Sequence, residues 1–469
     1  MNRPRTWHGR PARGAGRHRR GARPLQGTGG TPVPPRMRPR RGSVYLLALV
    51  ATVVVSAVAM AMAQGVGQHL RGSQHAAARG DCRAAAVGLL RAIAADLDSA
   101  MAAGGAPALA TIQAEGETVG GVVVVLVGGA GADGRFRFGL VPEAGLVDVN
   151  HAPAAVLAAL PGMDAARSAA ITDWRDGDDT IDPQGGAERG DGAYAAAAVP
   201  YAPRNAPFET LDELALVRDI DRDLWAGEDR NGNGMLDPGE DTDHDGRLDR
   251  GLAGLCTLES REPANAPDGT PRTPCARAAG ALRTRLAALF GEARATALAE
   301  LAQRGQPFAN RLDFLAALAL SADETARLWP YVIGGEGRLG LVDAASAPEE
   351  VLVAAVGAEW AARLAGARPS AAQGPAWLVT ALGREGAQAV GGRLTVGSYR
   401  FRADLLAVRR DGAGWDRLEA VLDCSTGTTR VLALRPAAAR GWPLPWATPA
   451  TLRRDPASDP RTLFAAGKP

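Results

Sequence analysis

The first 42 residues contain no acidic residue, although they hold 12 arginines. Without that segment the chain carries 41 basic against 51 acidic residues, so its body has a net charge of −10 while the whole sums to +2. A body of that sign disfavours a polyanionic partner, and no nucleic acid is expected. Histidine is scarce as well. Beyond residue 42 only His69, His75, His151 and His244 occur, none with a nucleophile or metal-ligand partner at a recognisable spacing, so catalysis is not supported. The glycine runs near Gly128 and Gly391 follow no phosphate-loop pattern. Four cysteines are present and none stands in a Cys-x-x-Cys pair, which argues against a zinc or thioredoxin-like site. An even count outside the cytoplasm permits disulfides. Cys256 and Cys275 flank a Pro-rich loop and are the preferred pair, leaving Cys82 with Cys424; four unpaired buried thiols are the alternative.

What the chain does have begins at Ser43. From there to Ala63 no residue is charged, and roughly 20 apolar residues at about 1.5 Å each span the hydrocarbon core of a bilayer. Residues 1–42, rich in Arg, Gly and Pro, form a basic leader that cannot build a core and is expected to be disordered, with Met37 a plausible true start. Arg41-Gly42-Ser43 at the junction has the pattern of a type IV pilin-like leader, cut after Gly42 by a prepilin peptidase on the cytoplasmic side. The alternative is an uncleaved signal anchor with its basic residues inside.

Past the apolar run, Cys82, Ala86, Leu90, Ile93, Leu97 and Met101 recur at steps of three and four, the stripe of an amphipathic helix. Strand-like runs follow at Thr118–Val127 and Arg135–Val141, and again at Tyr399–Val408, Arg417–Cys424 and Thr429–Arg435, the last three suiting an antiparallel meander. The region between reads as helical and contains a repeat: "GLVDVNHAPAAVLAAL" from Gly145 matches "GLVDAASAPEEVLVAA" from Gly340. The two copies are expected to mark where the chain leaves and rejoins a sheet domain. In each, Ala-Pro precedes an apolar helix, where the missing proline N–H costs nothing.

Within the helical region, Val147–Asp176 and Ala206–Trp225 resemble paired helix-hairpin-helix units of competence-type DNA receptors, and Gln306–Trp329 repeats the second half. DNA-binding hairpins read Gly-hydrophobic-Gly so that backbone N–H groups can approach a phosphate. Here they read Gly162-Met163-Asp164 and Asp219-Ile220-Asp221, which places carboxylates where a phosphate would sit. A membrane-anchored DNA receptor is therefore the second reading, and packing or protein contact the first.

"DRNGNGMLDPGE" places Asp229, Asn231, Asn233, Asp237 and Glu240 at positions 1, 3, 5, 9 and 12 of an EF-hand-type loop, with Gly234 at the sharp turn of position 6. A structural Ca2+ is the expected cofactor, a solvated acidic turn the alternative. A second start follows in Asp241, Asp243, Asp245 and Asp249, but its position 12 is Leu252, so that loop is incomplete unless it borrows a ligand.

Taken together, Arg41-Gly42-Ser43, "LVDVNHAP", "ALPGM", "ITDWRD", "GGAE", "VPYAPRNAPFETLDELALVRDI", "PFANRLDFLAAL" and the second "GLVD" resemble, in that order, the K-type minor pseudopilins of bacterial type II secretion systems. The resemblance implies an α+β fold: a membrane-spanning pilin-like helix packed on a small antiparallel sheet, interrupted by a large all-helical insertion with helix-hairpin-helix-like units. The expected boundaries are 1–42 leader, 43–103 helix, 104–150 first part of the sheet domain, 151–338 insertion, 339–440 second part and 441–469 Pro-rich tail. It further implies a non-catalytic subunit, single-pass in the inner membrane with its bulk periplasmic. Such a subunit joins the I- and J-type minor pseudopilins and the major pseudopilin at a filament tip. Ordinary pilins carry Glu at mature position five; counting from Ser43, that position is Leu47, which suits a subunit with no neighbour above it or, alternatively, an ordinary anchor. Family members bind calcium, but the loop here rests on its own spacing.

Overall fold

The uncharged run and the amphipathic stripe fold as one helix, α1 (Arg41–Ala102), in a computed structural model of the protein that describes residues 41–102, 107, 116–130, 136–188, 192–275, 279–305, 307–335, 337–369 and 374–444. The chain divides into two units, one ending at His69 and one beginning at Leu70. In the first, the helix is long and apolar enough to cross a membrane and its large side chains, Leu47 among them, are exposed. Gly42 and Ser43 fall in its opening turn.

In the second unit four strands precede the insertion: β1 (Glu117–Val119), β2 (Val122–Ala130), β3 (Phe136–Phe138) and β4 (Val141–Pro142). Six two-residue strands lie within it: β5 (Val147–Asp148), β6 (Cys256–Thr257), β7 (Thr273–Pro274), β8 (Val332–Ile333), β9 (Val342–Asp343) and β10 (Leu394–Thr395). Three long ones follow, β11 (Arg400–Arg409), β12 (Trp415–Asp423) and β13 (Arg430–Pro436). The main sheet is antiparallel in the order β1-β2-β11-β12-β13, with β3 beside β2 and β4 beside β11. Alternation decides the faces. Val122, Val124, Leu126, Phe401, Ala403, Leu405 and Ala407 pack with Cys82, Ala86, Leu90, Ile93 and Leu97 of α1, whereas Val123, Val125, Leu406 and Val408 form a core on the other face. The expected single strand over Thr118–Val127 is instead a hairpin. Gly120 and Gly121 both take positive φ (58° and 79°), the two-residue turn that matches strand twist.

The first "GLVD" does mark departure from the sheet, directly after β4. The second does not mark the return. Residues from Val342 to Val396 belong to the helical core, and the chain rejoins the sheet only at Arg400, about 60 residues later than the expected boundary at 339. The reason lies in how the copies pair. β5 lies parallel to β6 and β9 parallel to β10, each with a Pro-capped helix behind it, Ala154–Ala158 and Glu349–Val356. The copies meet through crossed contacts: a Cβ on Gly145 would stand 2.9 Å from Ser346 Oγ, and one on Gly340 would stand 2.6 Å from the Cβ of His151, the counterpart of Ser346 in the first copy. Both copies therefore belong inside the insertion, back to back. Gly340 also has φ +70°, so Gly340→Ala is expected to cost roughly 1–3 kcal/mol through overpacking and left-handed strain, read as a lower denaturant midpoint at unchanged m-value.

No disulfide joins any of the four cysteines, which corrects the expected pairs. Cys82 Sγ lies 3.6 Å from Gly414 O and Cys424 donates to Tyr399 O, at opposite ends of the β11–β12 ladder. Nine residues of strand at about 3.4 Å each separate those ends, far beyond the ~7 Å Cα limit of a disulfide. Cys256 and Cys275 are held by different strand pairs, β5–β6 and β7–β8, Cys275 N donating to Ile333 O. Burial pushes the thiols of Cys82, Cys256 and Cys424 up to about 11, 12 and 12.

Candidate metal centre

The spacing of "DRNGNGMLDPGE" becomes a closed ring of hydrogen bonds. Asp229, at position 1, accepts from the N–H groups of Asn233 (2.9 Å) and Gly234 (2.7 Å), and Gly234 has φ +70° as the turn requires. Glu240, at position 12, accepts from Arg230 N (3.1 Å) and Asp237 N (3.0 Å), which fixes both its oxygens. Asn231 and Asn233 each donate to Asp237 Oδ2, at 2.7 and 2.9 Å. All five side chains named from the sequence are thus brought together. Burial pushes the Asp229 and Glu240 carboxyls above their ordinary range. An all-oxygen donor set whose acids are desolvated and crowded fits a hard divalent cation.

The second loop repeats this pattern, except that Glu228 takes the place of the missing position 12. In the first loop the position-12 carboxylate accepts from the N–H groups of positions 2 and 9; in the second, Glu228 accepts from Thr242 N (2.6 Å) and Asp249 N (3.1 Å), the same two positions. Three more bonds match those of Gly234, Asn233 and Met235 N–H in the first loop. Asp241 accepts from Gly246 N (3.3 Å), Asp243 from Asp245 N (3.1 Å) and Asp245 from Arg247 N (2.7 Å). Ligand oxygens of Glu228, Asp241 and Asp243 lie within 4.8 Å of one another, and Asp241 Oδ1 is a buried atom with no hydrogen-bond partner. The N–H and hydroxyl of Thr242 hold the Glu228 carboxyl below its usual range, while burial raises Asp249. His244 is exposed, with φ 63°, and takes no part.

A third group was not named from the sequence, although "ITDWRD" and "GGAE" contain it. Asp173, Asp176 and Glu188 bring carboxylate oxygens within 4.8 Å of one another, with Asp173 and Glu188 buried. Asp173 accepts from Asp182 N, and its carboxyl is raised by burial and then by Asp176 and Asp182. A Cβ on Gly186 would stand 1.9 Å from Asp173 Oδ2, so only glycine leaves room there.

The hairpins are engaged with their own helices. Asp164 and Asp221 cap the helices Ala165–Arg175 and Arg222–Ala226 by accepting from Arg167 N and Leu224 N, at 2.8 Å each. Asp219 takes the left-handed φ (61°) of the absent glycine. Arg167 joins the two hairpins through Gly162 O (3.1 Å) and Asp219 O (3.0 Å).

An apolar helix long enough to cross a membrane, continuing as an amphipathic one onto an antiparallel sheet, with helical hairpins inserted between β4 and β11, defines an α+β architecture. Residues 154–227, which hold both hairpins and the Asp173 group, match the family model described as "Type II secretion system (T2SS), protein K". The match covers that segment alone. A chain in the solved structure of the GspK-GspI-GspJ complex from the enterotoxigenic Escherichia coli type 2 secretion system is also similar. It is 11% identical at a TM-score of 0.35, over 76% of this chain and 95% of that one, a likeness too slight to carry an argument. No curated protein matches the chain.

Proposed function

We propose that the protein is a K-type minor pseudopilin that occupies the tip of a type II secretion pseudopilus. There it initiates or caps assembly with I- and J-type minor pseudopilins above the major pseudopilin, in support of protein export across the outer membrane. The observation that carries this reading is the protein K match at 154–227, set in a chain whose long apolar helix leads into a sheet. A pilin-like helix of this kind anchors the subunit in the inner membrane, with the sheet and insertion on the periplasmic side. Calcium in the 229–240 loop, and in the 241–249 loop completed by Glu228, would stabilise the insertion without taking part in any reaction. A tagged copy is expected to co-purify with the I- and J-type subunits from detergent-solubilised membranes; a chain that emerges alone while those two remain paired counts against the reading.

Processing after Gly42 belongs to the same proposal. Intact mass of the membrane-extracted protein should correspond to a chain beginning at Ser43, N-methylated, and a species keeping Met37–Gly42 in cells that contain the peptidase would contradict it.

A further inference from the structure

The 229–240 loop belongs to the insertion by sequence, yet its contacts run to the sheet. Arg417, on β12, is fully buried. Its guanidinium is neutralised by Asp404 of β11, with Nε 2.8 Å from Oδ1 and Nη2 2.5 Å from Oδ2. The rest of the fork reaches the loop: Nη1 donates to Asn231 O (2.6 Å) and Nη2 to Gly232 O (3.2 Å), while Nη1 also meets Gly441 O (3.3 Å). Two further contacts join the same pieces. Asn233, fully buried, donates to Pro443 O at 3.0 Å as well as to Asp237. Met235 packs with Trp415 and Trp442 against the outer core of Val123, Val125, Leu406, Val408 and Leu444.

We infer that Arg417 is the positioning residue of this loop. It clamps positions 3 and 4 to the sheet, so that cation binding in the loop and packing of the Trp415–Trp442 side of the sheet are coupled. The physical reason is that a buried guanidinium loses heavily when its acceptors move away. Loop carbonyls held by Arg417 leave Asp229, Asn231 and Asn233 arranged before a cation arrives, and preorganisation of that kind raises affinity. Coupling is reciprocal, so a filled loop tightens the sheet as much as the sheet tightens the loop. The inference rests on the calcium reading of the loop and adds to it a route by which calcium controls how the insertion is held.

The test uses the full chain in detergent micelles, with calcium chloride as the probe, followed by titration calorimetry and tryptophan emission. Arg417→Lys keeps the charge but loses the fork, and is expected to bind calcium roughly tenfold more weakly. Trp442→Phe leaves the Arg417 side chain and the ligands unaltered; it should bind within about twofold of the unmodified protein while losing the calcium-dependent change in emission that the Trp415–Trp442 pair gives. Unchanged affinity in a folded Arg417→Lys, or calcium binding with no emission change traceable to Trp442, overturns the coupling and leaves the calcium reading standing. An unmodified protein that binds no calcium overturns both. The Trp442 measurement decides the matter should Arg417→Lys fail to fold.

Discussion

Glu262→Leu is expected to destabilise the protein by about 3–5 kcal/mol, the largest effect of any single substitution considered. Glu262 is buried and receives both nitrogens of Arg311 (2.9 and 2.5 Å), Arg272 Nη1 (2.5 Å) and the Thr395 hydroxyl. Arg311 also lies 3.6 Å above the Trp329 ring. These residues come from four separate stretches of the insertion, so the carboxylate ties together pieces that are distant in sequence. Removing it takes the countercharge from two guanidiniums whose side chains are each only 2% exposed. The pH dependence follows. Burial alone would raise the Glu262 carboxyl, but Arg311 and Arg272 outweigh it and hold it at about 2, below its unfolded value. Its contribution is therefore full above the unfolded pKa of about 4.3 and is lost as pH falls through the folded one. Denaturant midpoints of the unmodified protein should drop between roughly pH 4.3 and 2 more steeply than those of Glu262→Gln. Equal slopes would show that the pair contributes nothing.

Calcium is expected to raise the melting temperature of the full chain in detergent, relative to chelator. Ligand that binds only the folded form stabilises by about 2.7 kcal/mol at a hundredfold excess over its dissociation constant. Asp229→Ala combined with Glu240→Ala removes the positions that fix both ends of the first loop, and should abolish most of the difference. Glu228→Gln tests the second loop separately, since no residue of 229–240 is altered. A melting curve that ignores calcium in the unmodified protein would leave both loops as solvated acidic turns.

How far the sequence could be read depended on whether a feature was local. The helix stripe from Cys82 to Leu97 and the alternation in β11 are set by neighbours three, four or two residues away, and both lie where the pattern predicts. The first loop is a twelve-residue pattern, and its five named side chains do converge. Glu228 was invisible because it enters the second loop from its N-terminal side, outside the register that the motif defines. Asp173, Asp176 and Glu188 lie far enough apart that only folding joins them. The two "GLVD" copies were recognised, but their back-to-back pairing was not, because the Gly340–His151 contact spans 189 residues. Cysteine parity proved a poor guide for the same reason: an even count says nothing of which strand ends each thiol occupies.

The proposed function puts this chain at the filament tip. On the proposed cleavage after Gly42, Leu47 takes the place where ordinary pilins carry Glu and suits a subunit with nothing above it, because a carboxylate buried without its ammonium partner would cost several kcal/mol or be forced to protonate. Pseudopili assembled in cells from a labelled copy of this chain, sheared and imaged one filament at a time, give the most direct measurement. One label per filament, at one end, is expected. Labels distributed along the shaft would contradict it.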